Sequence, residues 1–144
     1  MPPPKLVLDT NVVVSALLWG GMPGQLIGVA TEGDAELFTS EALLVELRDV
    51  LGRPHLAARL RRHCATAEQA LAQYGELARW VQPQTVPRVV PADADDDHVI
   101  AAAVAAKADL IVSGDRHLLS LGVHQGIAIV TATQALERIG RAAH

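Results

Sequence analysis

The sequence predicts an α/β fold in which a mostly parallel sheet is covered by helices on both faces. Short apolar runs of strand length alternate with longer helical patterns along the 144 residues. Strands that are joined through helices pair in parallel through right-handed crossovers. The apolar runs are also continuous, as expected of strands that are buried on both faces of a sheet. We therefore predict one domain, residues 1–144, with a central sheet of four to five strands.

Four strands are predicted from apolar runs that end at polar or turn residues. They cover residues 6–8, 36–39, 110–112 and 127–130. A fifth strand or an extended connector is expected between residues 81 and 90. The prolines in that stretch suit the edge of a sheet and exclude a central strand.

The helices are predicted from apolar residues that recur at intervals of three and four. They cover residues 12–18, 25–31, 41–52, 55–63, 66–80, 99–107, 116–121 and 132 to about 140. The glycine-rich run at 20–24 is expected to break the chain between the first two helices. Ser40 is a natural N-cap for the third helix, and Thr131 with Gln134 fits a capping box at the start of the last one.

The composition argues against several classes of protein. Aromatic residues make up 3% of the chain, too few for a module that stacks nucleobases on aromatic platforms. The net charge of −4 argues against a broad phosphate-binding surface, although not against a local one. Cys64 is the only cysteine, which excludes an internal disulfide and a cysteine-based metal cluster. We expect a cytoplasmic protein, since neither a secretion signal nor an apolar run of membrane-spanning length is visible.

Aspartates stand at the carboxyl ends of two predicted strands. Asp9 directly follows the first strand, and Asp115 follows the third after Ser113 and Gly114. Ligands of open α/β sheets bind beyond the carboxyl ends of the strands, so both positions are candidates for a site. An isolated aspartate after a strand is explained equally well as the N-cap of the next helix.

Two further acids lie on predicted helices. Glu46 lies at the edge of the apolar arc of the helix over 41–52, beside the core. Asp97 belongs to a run of four acids within residues 93–97. Capping and the helix dipole favour one or two acids in a first turn, but they do not require four. Because Asp97 shares a helix face with Ile100, Ala101 and Val104, we expect it to point towards the packed side.

The four acids together predict a metal site. Carboxylates that converge repel one another strongly, so one would take up a proton unless a cation neutralised them. Oxygen ligands without cysteine or histidine favour Mg²⁺ or Mn²⁺ over zinc. Sites of this kind suit phosphoryl chemistry, in which the metal activates water and offsets charge on phosphate oxygens.

The same segments resemble the four acidic signatures of the PIN-domain ribonucleases. They are Leu6-Val7-Leu8-Asp9-Thr10-Asn11, Glu46 on its helix, Asp97-His98-Val99-Ile100-Ala101-Ala102 and Ile111-Val112-Ser113-Gly114-Asp115. The resemblance extends from Lys5 to about Ile139 and is closest to PIN-domain toxins of toxin–antitoxin pairs. It implies a three-layer α/β/α sandwich that cleaves single-stranded RNA with Mg²⁺ or Mn²⁺ and leaves a 5′-phosphate.

Residue by residue, the resemblance implies that the catalytic and metal-binding acids are Asp9, Glu46, Asp97 and Asp115. Asn11 and Ser113 match polar positions that support the site. Asp97 fits the pattern better than Asp96, which stays an alternative for the third acid. The implied partners are single-stranded RNA and a cognate antitoxin, and a homo-oligomer is left open; no membrane is expected.

Two other classes of function compete with a nuclease. A receiver or an aspartate-nucleophile phosphatase could share such a sheet, but the acid pair that these proteins need at the first strand is absent, because Asn11 follows Asp9 and Thr10. A PIN-like binding module without catalysis is the second alternative, and the presence of all four acids argues against it. Both alternatives stay open from the sequence.

Cationic residues are concentrated near the helix over 55–63. Residues 48–62 hold five of the twelve lysines and arginines, namely Arg48, Arg53, Arg59, Arg61 and Arg62. A solvated helix face explains them. They also predict a local patch that follows the phosphate backbone of RNA or docks an acidic partner.

Overall fold

Six strands form one sheet in the computed structural model, which describes residues 2–62, 66–84 and 94–143. The strands are β1 (Lys5–Leu8), β2 (Glu36–Thr39), β3 (Arg79–Trp80), β4 (Leu110–Val112), β5 (Val123–His124) and β6 (Ile127–Val130). Their order across the sheet is β3-β2-β1-β4-β6-β5. All neighbours pair in parallel except β5 and β6. The predicted mostly parallel sheet is confirmed, with one strand more than the upper expectation.

Eight helices lie within the described residues. They are α1 (Thr10–Trp19), α2 (Gly21–Thr31), α3 (Glu41–Leu51), α4 (Pro54–Arg62), α5 (Ala67–Leu77), α6 (Ala94–Ala106), α7 (Arg116–Leu121) and α8 (Ala132–Ala143). None of these helices is by itself long and apolar enough to cross a membrane. The pair α1 and α2 passes on length and composition together, but the two are bent by 94°.

The side chains of β1 point alternately to the two faces of the sheet and separate two apolar cores. Leu6 and Leu8 pack into a core with residues of α1, α3 and α8. Val7 packs into a second core with residues of α6 and α7. All three side chains are at most 2% exposed. Helices therefore cover both faces, and the predicted three-layer α/β/α sandwich is confirmed.

The break predicted over residues 20–24 is confined to Gly20. Its positive φ of 72° ends α1, and its N–H donates to the carbonyls of Ser15 and Ala16. The next helix begins at once with Gly21, so Pro23 lies in the first turn of α2. Proline is tolerated there because the first backbone N–H groups of a helix have no intrahelical partner.

The helix predicted to reach Trp80 ends earlier, at Leu77. Arg79 and Trp80 instead form β3, which pairs with Phe38 and Thr39 of β2 at the edge of the sheet. An edge strand is therefore present, but it precedes the stretch predicted for it, and residues 81–84 are not a strand. The rest of that stretch, 85–90, lies outside the described residues.

The short strand β5 was missed by the sequence reasoning. It forms an antiparallel hairpin with β6 through Gln125 and Gly126, which both have positive φ angles, 51° and 81°. Two consecutive positive φ angles are typical of a type I′ hairpin turn. A two-residue strand has no periodicity of its own, so only the pairing identifies it.

Candidate active site

The strand register places Asp9 beside Ser113. Leu8 of β1 pairs with Val112 of β4, and the Asp9 N–H donates to the Val112 carbonyl at 2.9 Å. The order of the strands reverses between β1 and β4. From β1 the chain continues to β2 and β3 on one side of β1, whereas β4 and β6 lie on its other side. Such a switch point is where open α/β sheets bind ligands. The two predicted residues therefore meet where the fold favours a site.

Ser113 links the two strand-end aspartates. Its hydroxyl donates to Asp9 Oδ2 at 2.8 Å and accepts from the Asp115 N–H at 2.9 Å. Ser113 is 1% exposed and Asp9 is 5% exposed. A buried carboxylate keeps a fixed orientation when a neighbour donates to one of its oxygens. The supporting position predicted for Ser113 thus corresponds to a direct contact with Asp9.

The two strand-end aspartates differ in their capping. Asp9 is the N-cap residue of α1, but its side chain makes no capping hydrogen bond. Helix capping therefore does not account for the side chain of Asp9. The half-buried Asp115 does cap: its Oδ1 accepts from the His117 N–H at 2.7 Å at the start of α7. This bond fixes the carboxylate at the end of β4.

The predicted residues Glu46 and Asp97 form a second part of the candidate site, on α3 and near the start of α6, two helices that contact each other. Glu46 is half-buried and, together with His98, lines a surface cavity of about 610 Å³. Asp97 is 1% exposed, which agrees with its predicted packed orientation, although Val104 on the predicted face is 37% exposed. Asp96 is also buried, so both candidates for the third acid are withdrawn from solvent.

The four predicted acids are not gathered into one ligand shell. Among the described residues, no group of three or more histidine, cysteine, aspartate and glutamate side chains is arranged to hold a metal ion. Their joint role as metal ligands stays a prediction. The donor set nevertheless fits Mg²⁺ or Mn²⁺, because it consists of carboxylates and two of them are almost fully buried. Burying carboxylates is costly unless a cation or hydrogen bonds compensate.

The sequence reasoning missed Thr131 as a neighbour of the site. Val130 of β6 pairs with Val112, so Thr131 follows its strand beside Ser113. With Asn11 and Ser113, Thr131 lines a cavity of about 320 Å³. Thr131 and Gln134 also form the predicted capping box, with hydrogen bonds of 3.0 and 3.2 Å. Its place after a buried strand was the available signal.

The five arginines of the predicted basic patch have different surroundings. The guanidinium of Arg59 lies 4.7 Å from the centre of the Trp19 ring, and its Nε donates to the Leu18 carbonyl at 3.3 Å. This side chain holds α4 against α1. Arg61 and Arg62 are exposed on α4, whereas Arg53 lines the cavity that contains Glu46. The patch is therefore not one uniform surface.

Comparison with known proteins identifies the family. A sequence model described as PIN domain matches residues 5–117, a range that contains all four predicted acids. The fold is similar to the crystal structure of PAE2754 from Pyrobaculum aerophilum, with a TM-score of 0.59 and 18% identity over 99% of this chain and 91% of that one. No curated protein matches the sequence significantly. PIN domains are generally nucleases that use divalent metal ions. The chain belongs to the PIN-domain family.

Proposed function

We propose that the protein is an endoribonuclease that cleaves single-stranded RNA with Mg²⁺ or Mn²⁺ and leaves a 5′-phosphate. The observation that carries this proposal is the linked group of Asp9, Ser113 and Asp115 at the switch point of a PIN-domain sheet. A buried carboxylate that does not cap its helix, and that a serine orients, has a geometry suited to binding a cation.

The proposed roles follow from the surroundings of each residue. Asp9, Glu46, Asp97 and Asp115 would hold the metal, which when bound activates water and offsets charge on phosphate oxygens. Ser113 orients Asp9 through its hydroxyl. Asn11 is exposed and lines the neighbouring cavity, where its amide can contact the RNA backbone.

A role as the toxin of a toxin–antitoxin pair is the finer part of the proposal. It rests on the resemblance of the acidic signatures to those toxins. We expect wild-type expression to arrest bacterial growth, and Asp9→Asn to relieve the arrest. A small open reading frame that overlaps the gene upstream, encoding the antitoxin, would support the same role. A homo-oligomer can be checked by light scattering.

Of the two alternatives to a nuclease, one is excluded and one is kept. Membership of the PIN-domain family replaces the receiver and phosphatase alternatives. A PIN-like binding module without catalysis is the second candidate, and one observation favours it. Within the described residues, the acids are not arranged as a group that could hold a metal.

Incubation with labelled single-stranded RNA tests the proposal. We expect cleavage in Mn²⁺ or Mg²⁺, no cleavage in EDTA, and recovery when the metal is restored. Asp9→Asn should be inactive. The matched control is Asp109→Asn at the amino-terminal end of β4, opposite the candidate site, where an exposed aspartate accepts from the Lys5 N–H at 2.8 Å. Its activity should equal that of the wild type, and activity that persists after exhaustive chelation would contradict the mechanism.

A further inference from the structure

The cavity between α3 and the start of α6 has a lining that suits one nucleotide. Its volume is about 610 Å³. The apolar part of the lining consists of Ala42, Val45 and Val50. The remaining lining is polar and comprises Glu41, Glu46, Asp49, Arg53 and His98. The cavity therefore combines an apolar surface for a ring with hydrogen-bond acceptors and one guanidinium.

The backbone of Arg53 is fixed at the junction of α3 and α4. Its N–H donates to the Val50 carbonyl at 3.1 Å, and its carbonyl accepts from Leu56 at 3.0 Å and Ala57 at 2.8 Å. Its side chain is exposed at the cavity and forms no ion pair or hydrogen bond with another described residue. Arg59, by contrast, is engaged with Leu18 and Trp19. Of these two arginines, Arg53 is the one available to an RNA phosphate.

The carboxylates of the cavity lining favour the base of a nucleotide over its phosphate. Glu41 and Asp49 are exposed residues of α3 that line the cavity, and carboxylates accept hydrogen bonds without donating any. They repel a phosphate but can accept from an exocyclic amino group. Cytosine and adenine present such a donor at N4 and N6, whereas uracil presents the acceptor O4. The guanidinium of Arg53 suits the phosphate of the same nucleotide.

We propose that this cavity is a nucleotide subsite of the nuclease, in which Asp49 accepts from the exocyclic amino group of a base and Arg53 contacts the phosphate of the same nucleotide. The inference rests on the proposed function, because Glu46, one of the proposed metal ligands, lines the cavity. Between the two pyrimidines, the subsite would favour cytosine over uracil. Neither residue belongs to the proposed metal ligands.

Binding of short oligocytidylate and oligouridylate of equal length tests the subsite. Fluorescence anisotropy in EDTA measures affinity without cleavage. We expect the wild type to bind oligocytidylate about tenfold more tightly, which is near the lower end of the discrimination that a bidentate base contact gives. Asp49→Asn should abolish or reverse the preference, since an amide can also donate to O4. The matched control Asp109→Asn should keep it.

Arg53→Gln tests the phosphate contact separately. It should weaken binding of both oligomers equally and reduce the slope of log affinity against log salt by about 0.7, as for one phosphate contact to a single strand. The control Arg138→Gln, on the exposed face of α8, should change neither quantity. Equal affinity of the wild type for the two oligomers, or equal effects of the two arginine variants, would overturn the subsite.

The two proposals fail in different ways. If Asp49 and Arg53 control binding as expected but no metal-dependent cleavage occurs, the nuclease proposal is wrong and the nucleotide site remains. If cleavage depends on metal and Asp9 while the Asp49 and Arg53 variants bind both oligomers like the wild type, the subsite is wrong and the nuclease remains.

Discussion

The two parts of the candidate site are held in place by different kinds of structure. Asp9, Ser113 and Asp115 lie at the ends of neighbouring strands, and backbone hydrogen bonds of the sheet set their separation. Glu46 and His98 lie on two helices, so their separation depends on how α3 and α6 pack. The strand-end part is already linked by hydrogen bonds, whereas the helix part encloses a cavity.

We expect the strand-end part of the site to be rigid and the helix part to be adaptable. A sheet register cannot shift by one residue without exchanging buried and exposed side chains. Two helices that pack through their side chains can shift relative to each other by less than one residue while the same faces stay buried. We infer that the strand ends fix the reacting centre, while the gap between the helices receives substrate. The following predictions test this division, from the largest expected effect to the smallest.

The largest effect is expected where either part loses an acid. Asp9→Asn removes a carboxylate from the strand ends, and Asp97→Asn removes one from the helix part. Each variant should lower RNA cleavage by at least about a hundredfold, because a proposed metal ligand loses its charge. Both should stay folded, and their metal-free melting temperatures should equal or exceed that of the wild type, since repulsion between carboxylates is reduced.

Thermal melting by circular dichroism, alongside the cleavage assay, checks this prediction. If both variants unfold at a much lower temperature than the wild type, the acids serve the fold, and the proposed division of the site would not hold.

An intermediate effect is expected for the link between the strand ends. Ser113→Ala removes the hydroxyl that donates to Asp9 and accepts from Asp115, and it leaves buried polar groups without these bonds. Such losses typically cost about 1–3 kcal/mol of folding free energy. The comparison variant His98→Ala, in the wall of the cavity, should change stability by less than about 0.5 kcal/mol. Urea unfolding of both variants measures the contrast, and equal losses would show that the helix part is as tightly held as the strand ends.

The smallest effect is expected for a buried polar group outside both parts. The hydroxyl of Tyr74 on α5 is buried and has no hydrogen-bond partner among the described residues. Tyr74→Phe should therefore leave stability at neutral pH unchanged or raise it slightly, because a buried unsatisfied hydroxyl is removed. Urea unfolding at pH 7 measures this. A loss of 1 kcal/mol or more would show that the hydroxyl has a stabilising contact.

The same substitution has a pH dependence with a definite sign. Burial raises the pKa of Tyr74 above its ordinary value. An unfolded tyrosine loses its proton above about pH 10, while the folded one keeps it. Wild-type stability should therefore fall as the pH rises above 10, by about 1.4 kcal/mol per pH unit for this group. Tyr74→Phe should lack this contribution, so the difference between the two proteins should grow with pH.

The sequence by itself determined the elements that carry local signals. The four longer strands, the N-cap at Ser40 and the capping box at Thr131 were predicted, because each depends on residues that are close together in the chain. Asp9 and Asp115 were predicted at strand ends for the same reason. Asp97 was predicted to be buried from helical spacing alone, and it is.

Only the tertiary structure decided which of these residues meet. The strand β3 exists through pairing with β2, which is distant in the sequence, and β5 exists through pairing with β6 across a two-residue turn. Strands of two residues have no periodicity of their own, so neither was predicted. The bond between Ser113 and Asp9 joins residues 104 positions apart. The clustering of five arginines in the sequence predicted one patch. In the structure, Arg59 packs against Trp19, whereas Arg53 lines the cavity. Local sequence sets which side chain follows each strand or helix; the register of the sheet and the packing of helices set their neighbours.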